Sequence, residues 1–383
     1  MRIGIDARFY GSVGKGLGRY VQKLIENLEK VDKVNQYFIF LLEENYAEFQ
    51  PKNKNFKKVL ADYRWYTFSE QIKLPRILNH YKLDVMHFPH FNVPIFYRKK
   101  FIITIHDLIL LHFPTLKATK LNPIFYWIKF LAYKITIGSA IKRSKKIITV
   151  SKFSKKDILD NYPHIKKDKV VVTYEACDLR KSKKVTAGGM EKVLEKYGII
   201  KPYLVYVGNA YPHKNLEGLL DAWKIFLNKK EIGINNDGEL LNLVLVGKRD
   251  YFYERLERKV ALDGIKNVVF TGFVPDEDLD SIYRGSLAYI FPSLYEGFGL
   301  PPLEAMAQGV AVISNGHGCM QEVLGKSAYY FDGRKSASIV QAILKISQDV
   351  ELRKILIERG YQRISRYSWK KMAKKTADIY DES

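Results

Sequence analysis

Short apolar runs alternate with helix-length stretches along almost the whole chain, and this rhythm limits the fold more than any other feature. In the first half the apolar runs fall at 3–6, 38–42, 85–88, 101–105, 147–150 and 170–173, with helical stretches after Gly18 and around 70–80. Strand, helix, strand in repetition is the pattern of a parallel sheet with covering helices. The second half repeats it: runs at 203–207, 243–246, 268–271, 288–291, 310–313 and 329–331, with helices from Asn215 and around Glu304. Beyond Ser336 the pattern is helical, and Ser368-Trp369 can start a last helix. A chain of 383 residues is too long for one ordinary core. The expectation is α/β, with two doubly wound units and a boundary in the basic, glycine-containing connector 179–189.

Charge narrows the partners. The net charge is +22, which implies anionic partners such as phospholipid, nucleic acid or diphosphates. Between 108 and 156 there is no Asp or Glu, whereas Lys117, Lys120, Lys129, Lys134, Lys142, Arg143, Lys145, Lys146, Lys152, Lys155 and Lys156 all fall inside. Within that field, 122–133 is strongly aromatic, which suits a buried helix or one at a lipid interface. No run of about 18 apolar residues free of charge occurs, and the start MRIGIDARFY enters a strand without the apolar core of a signal peptide. A cytoplasmic location is expected. Cys177 and Cys319 sit in no metal-ligand spacing and read as small buried hydrophobes.

The chemistry is written most densely in 292–309, PSLYEGFGLPPLEAMAQG. Tandem prolines suit a first helical turn, where backbone N–H groups have no intrahelical partner, so a helix should begin near Pro301. Because neither proline has a donor, an anion docking there must use the N–H groups of Gly297, Phe298, Gly299 and Leu300, with the positive helix end behind them. Glu296 precedes this loop and Glu304 is expected in the first helical turn, so two acids flank the anion site and can accept hydrogen bonds from hydroxyls. A nucleotide sugar meets both demands. A helix-capping loop is the plainer alternative.

The segment resembles the Glu-x7-Glu signature of retaining glycosyltransferases with the GT-B fold, glycosyltransferase family 4, and the similarity extends along nearly the whole chain. The resemblance implies two Rossmann-like domains facing a cleft: 1–178 for the acceptor, 190–365 for the nucleotide sugar, and 366–383 as a helix returning to the first domain. It assigns Glu296 to the donor sugar and Glu304 to the nucleotide ribose. No metal and no cofactor is expected, the nucleotide diphosphate sugar being a co-substrate.

Further motifs fit that frame. The glycine-rich stretch 11–20 lacks the spacing and terminal Lys-Ser or Lys-Thr of a P-loop; it resembles the family's first glycine loop, which suggests Gly16 as the point of close approach to the donor. His106-Asp107 follows an apolar strand, at the strand end where open α/β sheets place ligands, and the resemblance turns His106 toward the donor sugar while Asp107 orients the loop. His87 and His90 also follow a strand and are expected to shape the acceptor side. Lys214 opens a helix after the 203–207 strand, where a cation is mildly unfavourable without an anion; an ammonium there would offset charge growing on a leaving diphosphate. The family often has Pro-Arg-Lys-Asn here, whereas this chain has Pro-His213-Lys214-Asn, so Lys248 or Arg249 is expected to help. Thr271-Gly272-Phe273-Val274-Pro275 resembles the base-binding turn, with backbone near Val274 facing the nucleobase and Phe273 equally able to be a core aromatic. Ser151-Lys152-Phe153-Ser154 reads as a helix cap.

The resemblance as a whole implies a retaining hexosyltransferase, most similar to bacterial mannosyltransferases of polysaccharide assembly, with GDP-mannose as the expected donor, UDP- and ADP-sugars standing as alternatives, and a lipid-linked or glycan acceptor. Peripheral attachment to an anionic membrane, on the inner face of the cytoplasmic membrane, is expected, and no nucleic acid. Two alternatives stand beside it: a nucleotide-sugar epimerase on the same fold, and a noncatalytic polyanion- or membrane-binding protein, against which Lys214, Glu296 and Glu304 together count.

Overall fold

The computed structural model describes residues 1–114, 123–177, 187–228 and 239–383. The chain forms two compact units, Met1–Glu175 with Ser368–Ser383, and Ala176–Tyr367. Lys117, Lys120 and most of the expected connector lie outside the described residues. Gly188 and Gly189 belong to the helix Ala187–Lys196 rather than to a connector.

In the first unit, seven parallel strands are β1 (Arg2–Asp6), β2 (Gln36–Leu41), β3 (Phe56–Leu60), β4 (Val85–Phe88), β5 (Phe101–Ile105), β6 (Ile147–Thr149) and β7 (Val170–Val172). Their order is β3-β2-β1-β4-β5-β6-β7, so the winding reverses between β1 and β4. Ile3 sits between Tyr37 of β2 and Val85 of β4. Strand β3 has no clear sequence signal because it is an edge: only Phe56 and Val59 are buried, and Lys57 and Lys58 lie between them. Lysines on an edge discourage pairing with another chain.

In the second unit, six parallel strands are β8 (Tyr203–Val207), β9 (Asn242–Val246), β10 (Val268–Gly272), β11 (Ala288–Phe291), β12 (Val312–Asn315) and β13 (Ala328–Phe331). Their order is β10-β9-β8-β11-β12-β13, reversing between β8 and β11. Strand β12 starts two residues later than the apolar run suggests. The Val310 N–H is used to close the preceding helix on the Ala305 carbonyl, 3.1 Å away.

The last helix, Trp369–Asp381, begins on a Ser368 cap and buries Trp369, Met372, Ala373, Thr376, Ile379 and Tyr380. That three-and-four spacing is one helix face, and it packs on the helix Lys15–Val31 of the first unit. Tyr380 reaches into the core to bond His87 Nδ1 at 2.7 Å, while His87 Nε2 meets the Thr104 hydroxyl at 2.8 Å. Both ring nitrogens of His87 are thus used internally. Burial pushes its pKa down to about 3, so it is a neutral structural residue and the acceptor-side expectation for it is corrected. His90 is held neutral in the same way, at about 3, with its ring against Phe91 and Phe9.

Candidate functional site

Ligands in doubly wound sheets sit at the carboxyl ends of strands where the winding reverses. In the second unit that point lies between β8 and β11, and the two loops leaving these strands carry Lys214 and Glu296. The loops are stitched together by polar contacts. The Leu294 N–H donates to the His213 carbonyl at 2.8 Å, and the Ser293 hydroxyl donates to the same oxygen at 3.3 Å. Asn215, in the left-handed region at φ 58°, donates its side-chain amide to the Gly333 carbonyl at 2.7 Å. Asn315 donates to the Ser293 carbonyl at 2.9 Å and accepts from the Gly333 N–H at 2.8 Å. Sequence reasoning missed Ser293 and Asn315, whose signal was only that small polar residues lie at the ends of two strands of one sheet, and Asn215, whose signal was only its place between the Pro212–Lys214 turn and the next helix.

This scaffold sets Lys214 Nζ 2.6 Å from Glu296 Oε1, both side chains largely buried. The pairing corrects one expectation. Lys214 is not a cation awaiting an external anion, because Glu296 supplies the counter-charge from the same unit. Burial by itself would raise the Glu296 carboxyl, yet the Lys214 charge first, then His213, and the hydrogen bonds from Lys214 and Ser293 hold it below its ordinary value. At neutral pH His213 itself is uncharged: burial and the neighbouring Lys214 lower it to about 4, against an upward pull from Glu296. Arg249 is not at hand either, since it pairs with Glu257 at 2.7 Å on the surface, and Lys248 is exposed.

The loop then turns into the helix Leu300–Ala307, one residue earlier than Pro301. Gly297, Phe298 and Gly299 are buried. Gly299 caps the helix at φ 92°, a left-handed conformation that favours glycine. Glu304 is corrected to the second turn, half-buried. Its charge contributes, after burial and Tyr283, to raising the Tyr289 hydroxyl well above its usual pKa. Val274 is buried directly after the β10 end, whereas Phe273 is 70% exposed and is therefore not a core aromatic. A separate pocket of about 440 Å³ at the ends of β12 and β13 is lined by Asn315, His317, Gln321, Asp332 and Arg334 among others; Lys214, Glu296 and Glu304 do not line it.

In the first unit, the glycine stretch is not a loop ahead of a helix. A 3₁₀ turn spans Gly11–Gly14 and the helix runs Lys15–Val31, so Gly16 and Gly18 are helical. An added Cβ at Gly18 would lie 2.2 Å from the Gly11 carbonyl oxygen, and one at Gly14 would lie 2.1 Å from that of Phe9; at Gly16 nothing lies within 4 Å.

His106 follows β5 with both ring nitrogens facing acceptors, Nδ1 to Glu175 Oε1 at 3.2 Å and Nε2 to the Pro89 carbonyl at 3.1 Å. A neutral ring has one N–H and satisfies one acceptor; the imidazolium satisfies both. Burial works against that charge, but Glu175, Asp107 and Pro89 outweigh it and raise the pKa. Ser154 Oγ donates to the His106 carbonyl at 3.1 Å, and the Ser154 N–H is capped by Ser151 Oγ at 2.9 Å. Glu175 was also missed; its signal is that it follows β7 as His106 follows β5. Because the folded pKa of His106 is raised, its contribution to stability is complete below the unfolded value and lost as pH rises through the folded one. Glu175→Gln should therefore destabilise most at pH 6 and converge on the parent by pH 9 in urea titrations. An equal loss at both values would remove the ion pair as the cause.

Residues 14–181 match the Glycosyltransferase Family 4 domain, and residues 191–363 match Glycosyl transferases group 1. The chain is 29% identical to O-antigen chain mannosyltransferase B of Escherichia coli, with 95% of each chain covered. It is 27% identical to O-antigen chain mannosyltransferase RfbU of Salmonella typhimurium, over 75% of each. Among solved structures, WaaG, a glycosyltransferase involved in lipopolysaccharide biosynthesis, superposes at TM-score 0.69 with 14% identity and 99% of each chain covered. HepE of Anabaena, solved with UDP-glucose, reaches 0.74 at 13% identity, covering 100% of this chain and 99% of that one. At such identities the likeness shows the fold, which is GT-B.

Proposed function

We propose a specific reaction for this chain, which belongs to the glycosyltransferases built from a Family 4 domain followed by a group 1 domain: retaining transfer of mannose from GDP-mannose to a lipid-linked or glycan acceptor in cell-surface polysaccharide assembly. The observation that carries the reading is the Lys214–Glu296 pair at the β8/β11 reversal, beside a helix entry with Gly297–Leu300 amides. The mannose and polysaccharide assignments are supported by the O-antigen mannosyltransferase relatives.

In this reading the donor diphosphate takes Lys214 from Glu296. The released carboxylate then accepts hydrogen bonds from sugar hydroxyls, Glu304 takes the ribose, and the backbone at Val274 meets the base. His106 serves the donor sugar, and Gly16 the diphosphate. The bond from the anomeric carbon to the leaving diphosphate oxygen breaks as an acceptor hydroxyl oxygen bonds to that carbon from the same face. The hydroxyl proton passes to the diphosphate. Lys214 opposes the negative charge growing on the leaving group, an interaction stronger in the transition state than before it. We place the reaction in the cytoplasm, at the inner face of the membrane, where a lipid-linked acceptor is accessible.

A thermal-shift panel of GDP-, UDP- and ADP-sugars tests the donor. GDP-mannose at a hundred times its Kd should stabilise the protein by about 2.7 kcal/mol. Glu304→Gln should weaken that response roughly tenfold or more, the effect of losing a hydrogen bond to a charged acceptor. Stabilisation by a UDP- or ADP-sugar alone would reassign the base, and an unchanged response in Glu304→Gln would remove its ribose role.

A further inference from the structure

The helix Pro123–Arg143 is long and apolar enough, by length and composition, to cross a membrane. Its packing excludes that use. Ile137, Ala140 and Ile141 are fully buried in the first unit's core with Phe101, Ile103, Leu108 and Ile147, so threading the helix through a bilayer would strip the sheet of its cover. The other side is different. Phe125, Trp127, Ile128, Leu131 and Ile135 are each 50% to 62% exposed. At about 100° per residue, Ile128, Leu131 and Ile135 share one face, roughly opposite the buried one. Scattered exposed apolar residues need no explanation, but five on one outward helix surface do.

Charge identifies the occupant. Lys129 and Lys134 are exposed on the flanks of the apolar face, and Lys142, Lys145 and Lys152 are exposed further along the 108–156 region, which contains no acidic residue. Lys134 lies over the Phe130 ring, 5.1 Å from its centroid. An outward apolar and aromatic surface flanked by lysines matches a helix lying in the interface of an anionic bilayer, with Trp at headgroup level and ammonium groups reaching phosphates.

We propose that the outward face of this helix, centred on Trp127, Ile128 and Leu131, is the surface by which the protein lies on an anionic phospholipid membrane. The inference rests on the membrane-side reading above and names the element that makes the contact. It is a monotopic attachment: the first turns enter the interface while the last turns stay in the core.

Co-sedimentation of the full chain with phosphatidylglycerol-rich and with pure phosphatidylcholine vesicles tests it, with the GDP-mannose thermal shift run in parallel. Binding is expected to the anionic vesicles only. Lys129→Glu with Lys134→Glu should weaken it at least about tenfold, given the attraction of each lysine to an anionic surface. Ile128→Ser with Leu131→Ser should weaken it comparably while leaving the melting temperature and the donor response intact, since these side chains face away from the core. Brominated lipid should quench Trp127, and Trp127→Phe should keep binding but lose that quenching. Vesicle binding insensitive to all of these substitutions would overturn the proposal. So would a homodimer in solution that Ile128→Ser with Leu131→Ser dissolves, because the face would then cover a second copy. A donor response that fails while vesicle binding behaves as described would instead count against the GDP-mannose reading.

Discussion

Lys214→Met is expected to lower kcat by about 10²–10³, the range for removing one charge-stabilising donor from a transition state. It should also cost about 3–5 kcal/mol of stability, because it strands a buried carboxylate. The two losses separate in the double variant. With Glu296→Gln added, no uncompensated charge remains buried, so most of the stability should return while activity does not. The pH dependence reverses sign as well. In the parent, Glu296 is held below its ordinary pKa, so the pair stabilises above the unfolded carboxylate value, near 4.5, and the benefit is lost as pH falls through the folded value. In Lys214→Met the cation is gone and burial dominates, raising Glu296, so the variant should gain stability relative to the parent as pH falls from 8 to 5. Urea denaturation of parent, both single variants and the double variant across that range gives the answer. A double variant no more stable than Lys214→Met would mean the pair is not what holds these loops together.

Gly16→Ala and Gly18→Ala should part in opposite directions. At Gly18 the new Cβ meets two backbone carbonyl oxygens, of Gly11 at 2.2 Å and Phe9 at 2.5 Å, which cannot rotate away as a side chain can. The turn must shift, at a cost of about 3 kcal/mol, the upper end for overpacking. At Gly16 the space is open, and alanine in place of helical glycine stabilises by up to about 1 kcal/mol. If Gly16 is where backbone comes close to the donor, that more stable variant should still lose activity, by about a hundredfold for an ångström-scale displacement. Melting curves and initial rates on the two variants check both statements. A fully active Gly16→Ala would make this glycine dispensable for the donor, and an undisturbed Gly18→Ala would deny the tight turn.

Much of this was legible because it is local. Runs such as Val85–Phe88, Phe101–Ile105, Tyr203–Val207 and Ala288–Phe291 coincide with strands residue for residue, since strands apolar on both sides are continuous in sequence. Pro301 and Pro302 marked the helix start for an equally local reason, the missing N–H groups. What failed was whatever depended on a partner distant in sequence. Glycines at 16 and 18 read as a loop, but the helix starts at Lys15, and its Gly18 lies so close to the Gly11 and Phe9 carbonyls that a side chain would not fit. His87 read as a ligand-facing histidine until Tyr380, 293 residues away, proved to hold it.

The sequence by itself determined that there are two parallel-sheet units, and which loops carry the acids, the lysine and the glycines, because periodicity, proline chemistry and spacing act over a few residues. Tertiary structure alone decided the protonation and pairing of those groups: Lys214 against Glu296, His106 against Glu175, and His213 left neutral. Charge state depends on burial and on neighbours brought in by sheet order, and a Coulomb energy between two residues 82 positions apart is set by the 2.6 Å that separates them in space, not by their distance along the chain.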